Sequence, residues 1–253
     1  MDLGIRGKVA IVTACSTGLG ASIASRLAEE GCRLVLLART QSKLESLAAV
    51  LRKQHGVDVL PVVGDLAEAT SVRNLIAETI RMFGAPQILV LNTGRPPMPL
   101  RRVLDETDDQ RWHDAHRTQL LAAMLAVRNI VPLMVEQGWG RVIGVTSASV
   151  KQPMPNHALS TVYRAGVTGM LKHLANEVAA RGVTVNTVCP ASIASDALTS
   201  SYNIVERIKI IPVGRLGTPQ EFAAAVAFLA SDLAGFITGA SLNVDGGMVG
   251  SLY

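Results

Sequence analysis

The sequence has little of what would place it outside the ordinary globular proteins. It carries three cysteines, Cys15, Cys32 and Cys189, with no Cys-x-x-Cys pair and no metal-ligand spacing. Neither a disulfide framework nor a bound metal is expected. The thiols read as small buried hydrophobes, reduced as in a cytoplasm. There is no run of five or more like charges, and 24 basic against 20 acidic residues leave a net charge of only +4. That balance lacks the basic stripe expected of a protein that binds nucleic acid or an anionic membrane. The segment Met1–Lys8 lacks the basic-then-apolar layout of a signal peptide. Only Phe222–Leu242 raises the question of a membrane span. Asp232 interrupts it and its Ala and Gly content keeps it weakly apolar, so it reads as a helix, a turn and the start of a strand. No repeat, low-complexity tract or Ser/Gly-rich linker divides the chain, which predicts one domain over residues 1–253.

What is present is alternation. Short β-rich runs (Val9–Ala14, Arg33–Arg39, Asp58–Asp65, Gln87–Gly94, Arg141–Ser147, Val183–Pro190 and Ala240–Asp245) are separated by amphipathic segments. Several runs are continuously apolar, as expected for strands covered on both faces. Val72, Leu75, Ile76, Ile80 and Phe83 make a helical stripe, and Thr218-Pro219-Gln220-Glu221 is a capping box with proline at the first helical position. The pattern predicts an α/β fold: a doubly wound parallel sheet of about seven strands with helices on both faces.

The first strand runs into Thr13-Ala14-Cys15-Ser16-Thr17-Gly18-Leu19-Gly20 before a helix. A glycine-rich turn there lets backbone N–H groups and the positive helix end approach a pyrophosphate. Further segments follow in order: Asp65-Leu66, Leu91-Asn92-Thr93-Gly94, Val185 through Pro190-Ala191, and Thr238-Gly239 through Val244-Asp245-Gly246-Gly247. Together they resemble the short-chain dehydrogenase/reductase family over nearly the whole chain, as a divergent member similar to 3-oxoacyl-ACP reductase-like proteins. Ala14 stands where the family's T-G-x-x-x-G-x-G motif begins with glycine. The resemblance implies a Rossmann-type fold and a dinucleotide held by Ala14, Ser16, Thr17, Gly18, Leu19, Gly20, Arg39, Asp65, Leu66, Asn92, Thr93, Gly94, Arg164, Pro190 and Ile193. At the end of the second strand, Ala38-Arg39 offers a cation suited to a 2′-phosphate where a carboxylate would select a free ribose 2′-OH. NADP(H) is therefore expected rather than NAD(H).

The family's catalytic Asn, Ser, Tyr and Lys match Gln119, Ser147, Ser160 and Arg164, so three of the four positions are changed. Arg164 can bind ribose hydroxyls and fix a positive charge, but it cannot relay a proton. Ser160 is a poor acid beside a phenol. Tyr163, one helical turn beyond Ser160, could lean back towards the vacated position or serve only in packing. His116 and His157 read as structural. Arg95, opening the stiff run Arg95-Pro96-Pro97-Met98-Pro99, could bind a substrate carboxylate or phosphate or remain solvated.

Three functions fit these residues. The first is an NADP(H)-dependent reductase of a ketone, a 3-oxoacyl compound or a conjugated enone. The second is an inactive NADP(H)-binding module. The third is a cofactor-free lyase similar to halohydrin dehalogenases, which share an arginine at the Arg164 position. The resemblance further implies a lid over about residues 192–213, and a homotetramer or homodimer pairing through the helices Trp112–Glu136 and Val162–Val178.

Overall fold

A computed structural model describes residues 1–195 and 203–252. Seven strands form one sheet: β1 (Val9–Thr13), β2 (Arg33–Ala38), β3 (Val59–Val63), β4 (Ile88–Leu91), β5 (Gly140–Val145), β6 (Val183–Pro190) and β7 (Ser241–Val244). All are parallel, in the order β3-β2-β1-β4-β5-β6-β7. The order reverses between β1 and β4, and a doubly wound sheet opens its ligand crevice at the C-terminal ends of the strands beside such a switch. This is the Rossmann-type arrangement expected from the alternating pattern.

The long helices are α1 (Gly18–Glu29), α2 (Gln41–His55), α3 (Ala69–Phe83), α5 (Ala122–Gln137), α6 (Ala158–Val178) and α8 (Pro219–Ala230), with shorter α4 (Asp109–Ala115) and α7 (Ile204–Lys209). Side chains alternate along each strand, so β1 sends Ala10 and Val12 to one face and Val9 and Ile11 to the other. The first face packs on Ile23 and Leu27 of α1, Leu44 of α2 and Phe222 of α8. The second packs on Val72 and Leu75 of α3, Ile130 of α5 and Leu171 of α6. Each such side chain contributes about 1.5–3 kcal/mol on full burial. The run Asp109–Gln137 is long and apolar enough to cross a membrane by length and composition, yet Ala126, Ile130 and Met134 within it are spent on this core.

The capping box forms as expected: Thr218 and Glu221 exchange hydrogen bonds and Pro219 opens α8. Phe222–Leu242 resolves into the rest of α8, a 3-10 turn at Asp232–Ala234 and the start of β7. Two expectations need correction. Ile80 belongs to the apolar stripe of α3 but is 46% exposed, the helix turning Thr79 inward instead. Several strands also stop short of the apolar runs, most clearly β4, which ends at Leu91. The residues beyond leave the ladder to shape the crevice.

Candidate active site

The crevice begins where β1 ends. Ala14 adopts φ 48°, a left-handed conformation that costs a residue with a Cβ about 1–2 kcal/mol. Asn92 secures the turn from β4. Its N–H donates to Thr13 Oγ1 (3.0 Å), its carbonyl accepts from the same hydroxyl (2.6 Å), and its Nδ2 donates to the Ala14 carbonyl (3.1 Å). A Cβ on Gly20 would stand 2.7 Å from both Ala14 O and Cys15 Cα, so only glycine lets α1 approach this closely. Cys15 points inward, and burial pushes its thiol up to about 12, which makes it inert.

The first backward bond at the start of α1 runs from Ala21 N to Thr17 O. The N–H groups of Gly18, Leu19 and Gly20 have no acceptor among the described residues, Thr17 supplies no side-chain cap, and the first turn carries no acid. Free N–H donors at a positive helix end form an anion site. The donor set thus fits the pyrophosphate of a dinucleotide.

A cleft of about 550 Å³ extends from this turn across the strand ends. Of the residues expected to hold the cofactor, it brings together Ala14, Ser16, Thr17, Gly18, Leu19, Arg39, Asp65, Leu66, Asn92, Thr93, Gly94, Arg164 and Pro190. Gly20 lies under the turn, and Ile193 is buried in a bridge to Gly217, so neither lines the cleft. On the β2–β3 side, Arg39 is exposed and no ion pair engages it among the described residues. Asp65 is neutralised: its Oδ1 accepts from Ala67 N at 3.0 Å and its Oδ2 from Arg117 at 3.1 Å, an arginine that also meets Glu68 at 2.8 Å. A shallow groove continues past Ser16 and Thr17 to Ser42, Lys43 and Ser46.

On the β4–β5 side the floor is Thr146 and Arg164. Arg164 Nη1 donates to the carbonyls of Val145 (2.9 Å) and Thr146 (3.0 Å). Burial brings its pKa down to about 10, so the guanidinium stays charged at neutral pH. Ser147 Oγ accepts from Ser149 N (3.2 Å) and Ser149 Oγ (2.9 Å). With both acceptances made, its own proton is free to be donated.

Ser147 follows the lining residue Thr146 without itself lining the cleft, and the remaining expected catalytic positions do not line it either. Ser160 is buried on α6 at 6% exposure. Tyr163 packs its ring against Trp112 (centroids 6.2 Å apart) and His116 (5.8 Å), and burial pushes its phenol up. Of the two roles open to it from the sequence, these contacts are those of packing. Gln119 lies in a π-helical turn, His116–Leu121, between α4 and α5. It is fully buried, with neither amide atom bonded among the described residues. Its neighbour Thr118 does line the cleft and accepts from Gly94 N at 3.2 Å. His157 is a helix-start residue whose Nδ1 lies 2.7 Å from Pro155 O. Burial, with the charge of Arg207, holds it below its ordinary 6.5.

Of the expected lid, Ser195 lines the cleft and Ile204 opens α7, while Leu198 and Tyr202 lie outside the described residues. Sequence reasoning missed Leu37, Gly64, Thr118, Val145, Thr146 and Lys43 at the site. The rule that ligands meet the C-terminal ends of strands could have found Leu37, Val145 and Thr146.

Comparison with known proteins agrees with this geometry. A family model described as Enoyl-(Acyl carrier protein) reductase matches residues 13–249. The chain is 34% identical over 244 residues to a 3-oxoacyl-(acyl-carrier-protein) reductase of Staphylococcus epidermidis, covering 95% of this chain and 98% of that one. It is 35% identical over 249 residues to the protein of the same description from Synechocystis sp., covering 97% and 98%. Among solved structures, L-sorbose reductase from Gluconobacter frateurii, in complex with NADPH and L-sorbose, superposes with a TM-score of 0.91 at 31% identity over all of both chains. An actinorhodin polyketide ketoreductase variant with NADPH superposes with a TM-score of 0.91 at 29% identity, covering 97% and 98%.

Proposed function

The chain belongs to the short-chain dehydrogenase/reductase family, and on that premise we propose that it is an NADP(H)-dependent carbonyl reductase working without the family's phenol and ammonium. The observation that carries the cofactor reading is Arg39 at the end of β2, lining the same cleft as the free N–H groups of α1. A guanidinium there pairs with a 2′-phosphate, and no carboxylate stands in its place to prefer NAD(H). The N–H groups of Gly18, Leu19 and Gly20 hold the pyrophosphate, Lys43 across the groove adds a second cation near the 2′-phosphate, and Asp65-Leu66 flanks the adenine. The NADPH-bound neighbours support the same choice.

NADPH, when bound, supplies the hydride that a carbonyl carbon accepts. The demand left to the protein is stabilisation of the oxygen that gains the electron pair. The free proton of Ser147, next to Thr146 on the cleft floor, is assigned to hydrogen-bond that oxygen, and the Arg164 charge stabilises it. Water delivers the proton, since neither Ser160 nor Arg164 has a pKa suited to doing so. The named activities of the relatives, 3-oxoacyl, sorbose and polyketide reduction, favour a carbonyl over an enone.

Subunit pairing through α5 and α6 is part of this reading. Leu121, Met124, Leu125, Met170 and Leu174 are only half-buried within one chain, whereas Leu171 is taken up by the core. The activity test is NADPH consumption on a panel of ketones, 3-oxoacyl thioesters and enones. Turnover on a ketone supports the proposal, and turnover on enones alone redirects it to C=C reduction. Tight NADPH binding with no turnover marks a binding module.

A further inference from the structure

The charges that line the cleft do not balance. They are Arg39, Arg95, Arg164 and Asp65, and Asp65 already belongs to Arg117. Arg39 follows β2, whereas Arg95 follows β4 and Arg164 reaches the end of β5. In the order β2-β1-β4-β5, three strand spacings separate the Arg39 side from the Arg164 side, roughly 14 Å at about 4.8 Å each. The phosphates of NADPH are met by Arg39 and α1, which leaves the opposite side of the cleft with two cations and no anion among the described residues.

Neither cation has a carboxylate partner among the described residues. Arg164 is half-buried, has two backbone carbonyls on Nη1 as its partners among the described residues, and feels the like charge of Arg95. Two like charges that line one cleft repel one another, and an anion between them relieves that repulsion.

Arg95 also sits on a fixed backbone. On one side Gly94 N donates to Thr118 O at 3.2 Å. On the other, Arg111 donates to the carbonyls of Pro97 (3.3 Å), Met98 (3.2 Å) and Pro99 (2.6 Å), and is itself held by Glu106 at 2.7 Å. The three prolines stiffen the segment further. A cation whose loop is ordered before the ligand arrives binds with less loss of conformational freedom.

We propose that Arg95 is a substrate-binding residue, and that the substrate carries a carboxylate or phosphate close to its reacting carbonyl. This rests on the cofactor reading, which assigns Arg39 elsewhere. The class is a short oxo acid or a phosphorylated ketone, with the anion on Arg95 and the carbonyl oxygen between Ser147 and Arg164.

The test is calorimetric titration of the full-length protein with two matched pairs, with and without saturating NADPH. One pair is 3-oxobutanoate and its methyl ester, and the other is dihydroxyacetone phosphate and dihydroxyacetone. The expected result is at least tenfold tighter binding of the anionic member of one pair, which identifies carboxylate or phosphate. That ratio should fall about tenfold in Arg95→Gln and return in Arg95→Lys. Equal binding within both pairs, or a preference that survives Arg95→Gln, overturns the proposal. If NADPH does not bind, the cofactor reading fails by itself, and the titrations without nucleotide still decide the anion site by the same ratios.

Discussion

Tyr163 stands edge-on to Trp112, their ring centroids 6.2 Å apart and their planes at 67°. The contact ties the helix that should carry the catalytic phenol to the helix in front of it, with Tyr163 as a packing group. Aromatic pairs in this geometry add about 0.5–1.5 kcal/mol beyond area burial. Tyr163→Phe keeps the ring pair and should leave ketone turnover within about twofold, as one lost hydrogen-bonding group outside the cleft implies. Ser147→Ala removes the donor to the developing oxyanion and should cost about 10²-fold or more in kcat. Steady-state kinetics of the two variants separates the roles. A large loss in Tyr163→Phe would return the phenol to the chemistry.

Gly20→Ala introduces a methyl 2.7 Å from two backbone atoms of the turn. Backbone cannot swing aside as a side chain can, so α1 must shift away from Ala14. A stability loss of about 1–3 kcal/mol is expected, together with weakened nucleotide binding, because the free N–H groups move with the helix. Urea unfolding and nucleotide titration on one preparation check both. A fully stable variant that still binds would contradict the close approach.

Arg111 clamps the Pro97–Pro99 carbonyls and pairs with Glu106, whose side chain is 1% exposed. The hydrogen bond from Arg111 holds the Glu106 carboxyl below its ordinary 4.5. A depressed carboxylate contributes stability that is complete above the unfolded-state value and is lost as the pH falls through the folded value. Arg111→Met leaves the carboxylate buried without its partner and should destabilise the protein by about 3 kcal/mol at pH 7. The gap should narrow below pH 4.5, where protonated Glu106 no longer needs the guanidinium. Thermal melts across pH 3–7 of both proteins give the comparison, and a gap independent of pH would remove the ion pair from the explanation.

Turnover should be insensitive to pH near neutrality. Arg164 loses its proton only around its lowered value of about 10, and His157, held below 6.5, is already neutral above that. The rate at saturating substrate should therefore be flat from about pH 7 to 9 and fall towards 10, as the charge on Arg164 is lost. A midpoint near pH 7–8 would require a titrating group that the described residues of the cleft do not present.

The scaffold was readable because a parallel strand buried on both faces declares itself as an unbroken apolar run, and Leu34–Leu37 or Ile88–Leu91 can be little else. The cleft was readable for the same reason that ligands gather at strand ends: Arg39, Asp65 and Asn92–Gly94 begin within two residues of the ends of β2, β3 and β4. What escaped were partnerships between distant segments. Spacing along α6 puts Tyr163 near the face of Ser160, but not what lies opposite, and Trp112 with His116 settled where the ring goes. Arg117 reaches Asp65 across 52 residues from a π-helical turn, and the Arg111 clamp spans the proline loop. Neither leaves a local pattern. The buried, unbonded amide of Gln119 is likewise a property of the fold and not of the motif it replaces.

Cofactor choice rests most directly on Arg39. Nicotinamide fluorescence titrations with NADPH and NADH, on the wild type and on Arg39→Ala, test it. NADPH should bind the wild type at least tenfold more tightly than NADH, and Arg39→Ala should weaken NADPH by about tenfold or more while leaving NADH nearly unchanged, as loss of one charge-assisted pair implies. Equal affinity for the two nucleotides, or no binding of either, would contradict it.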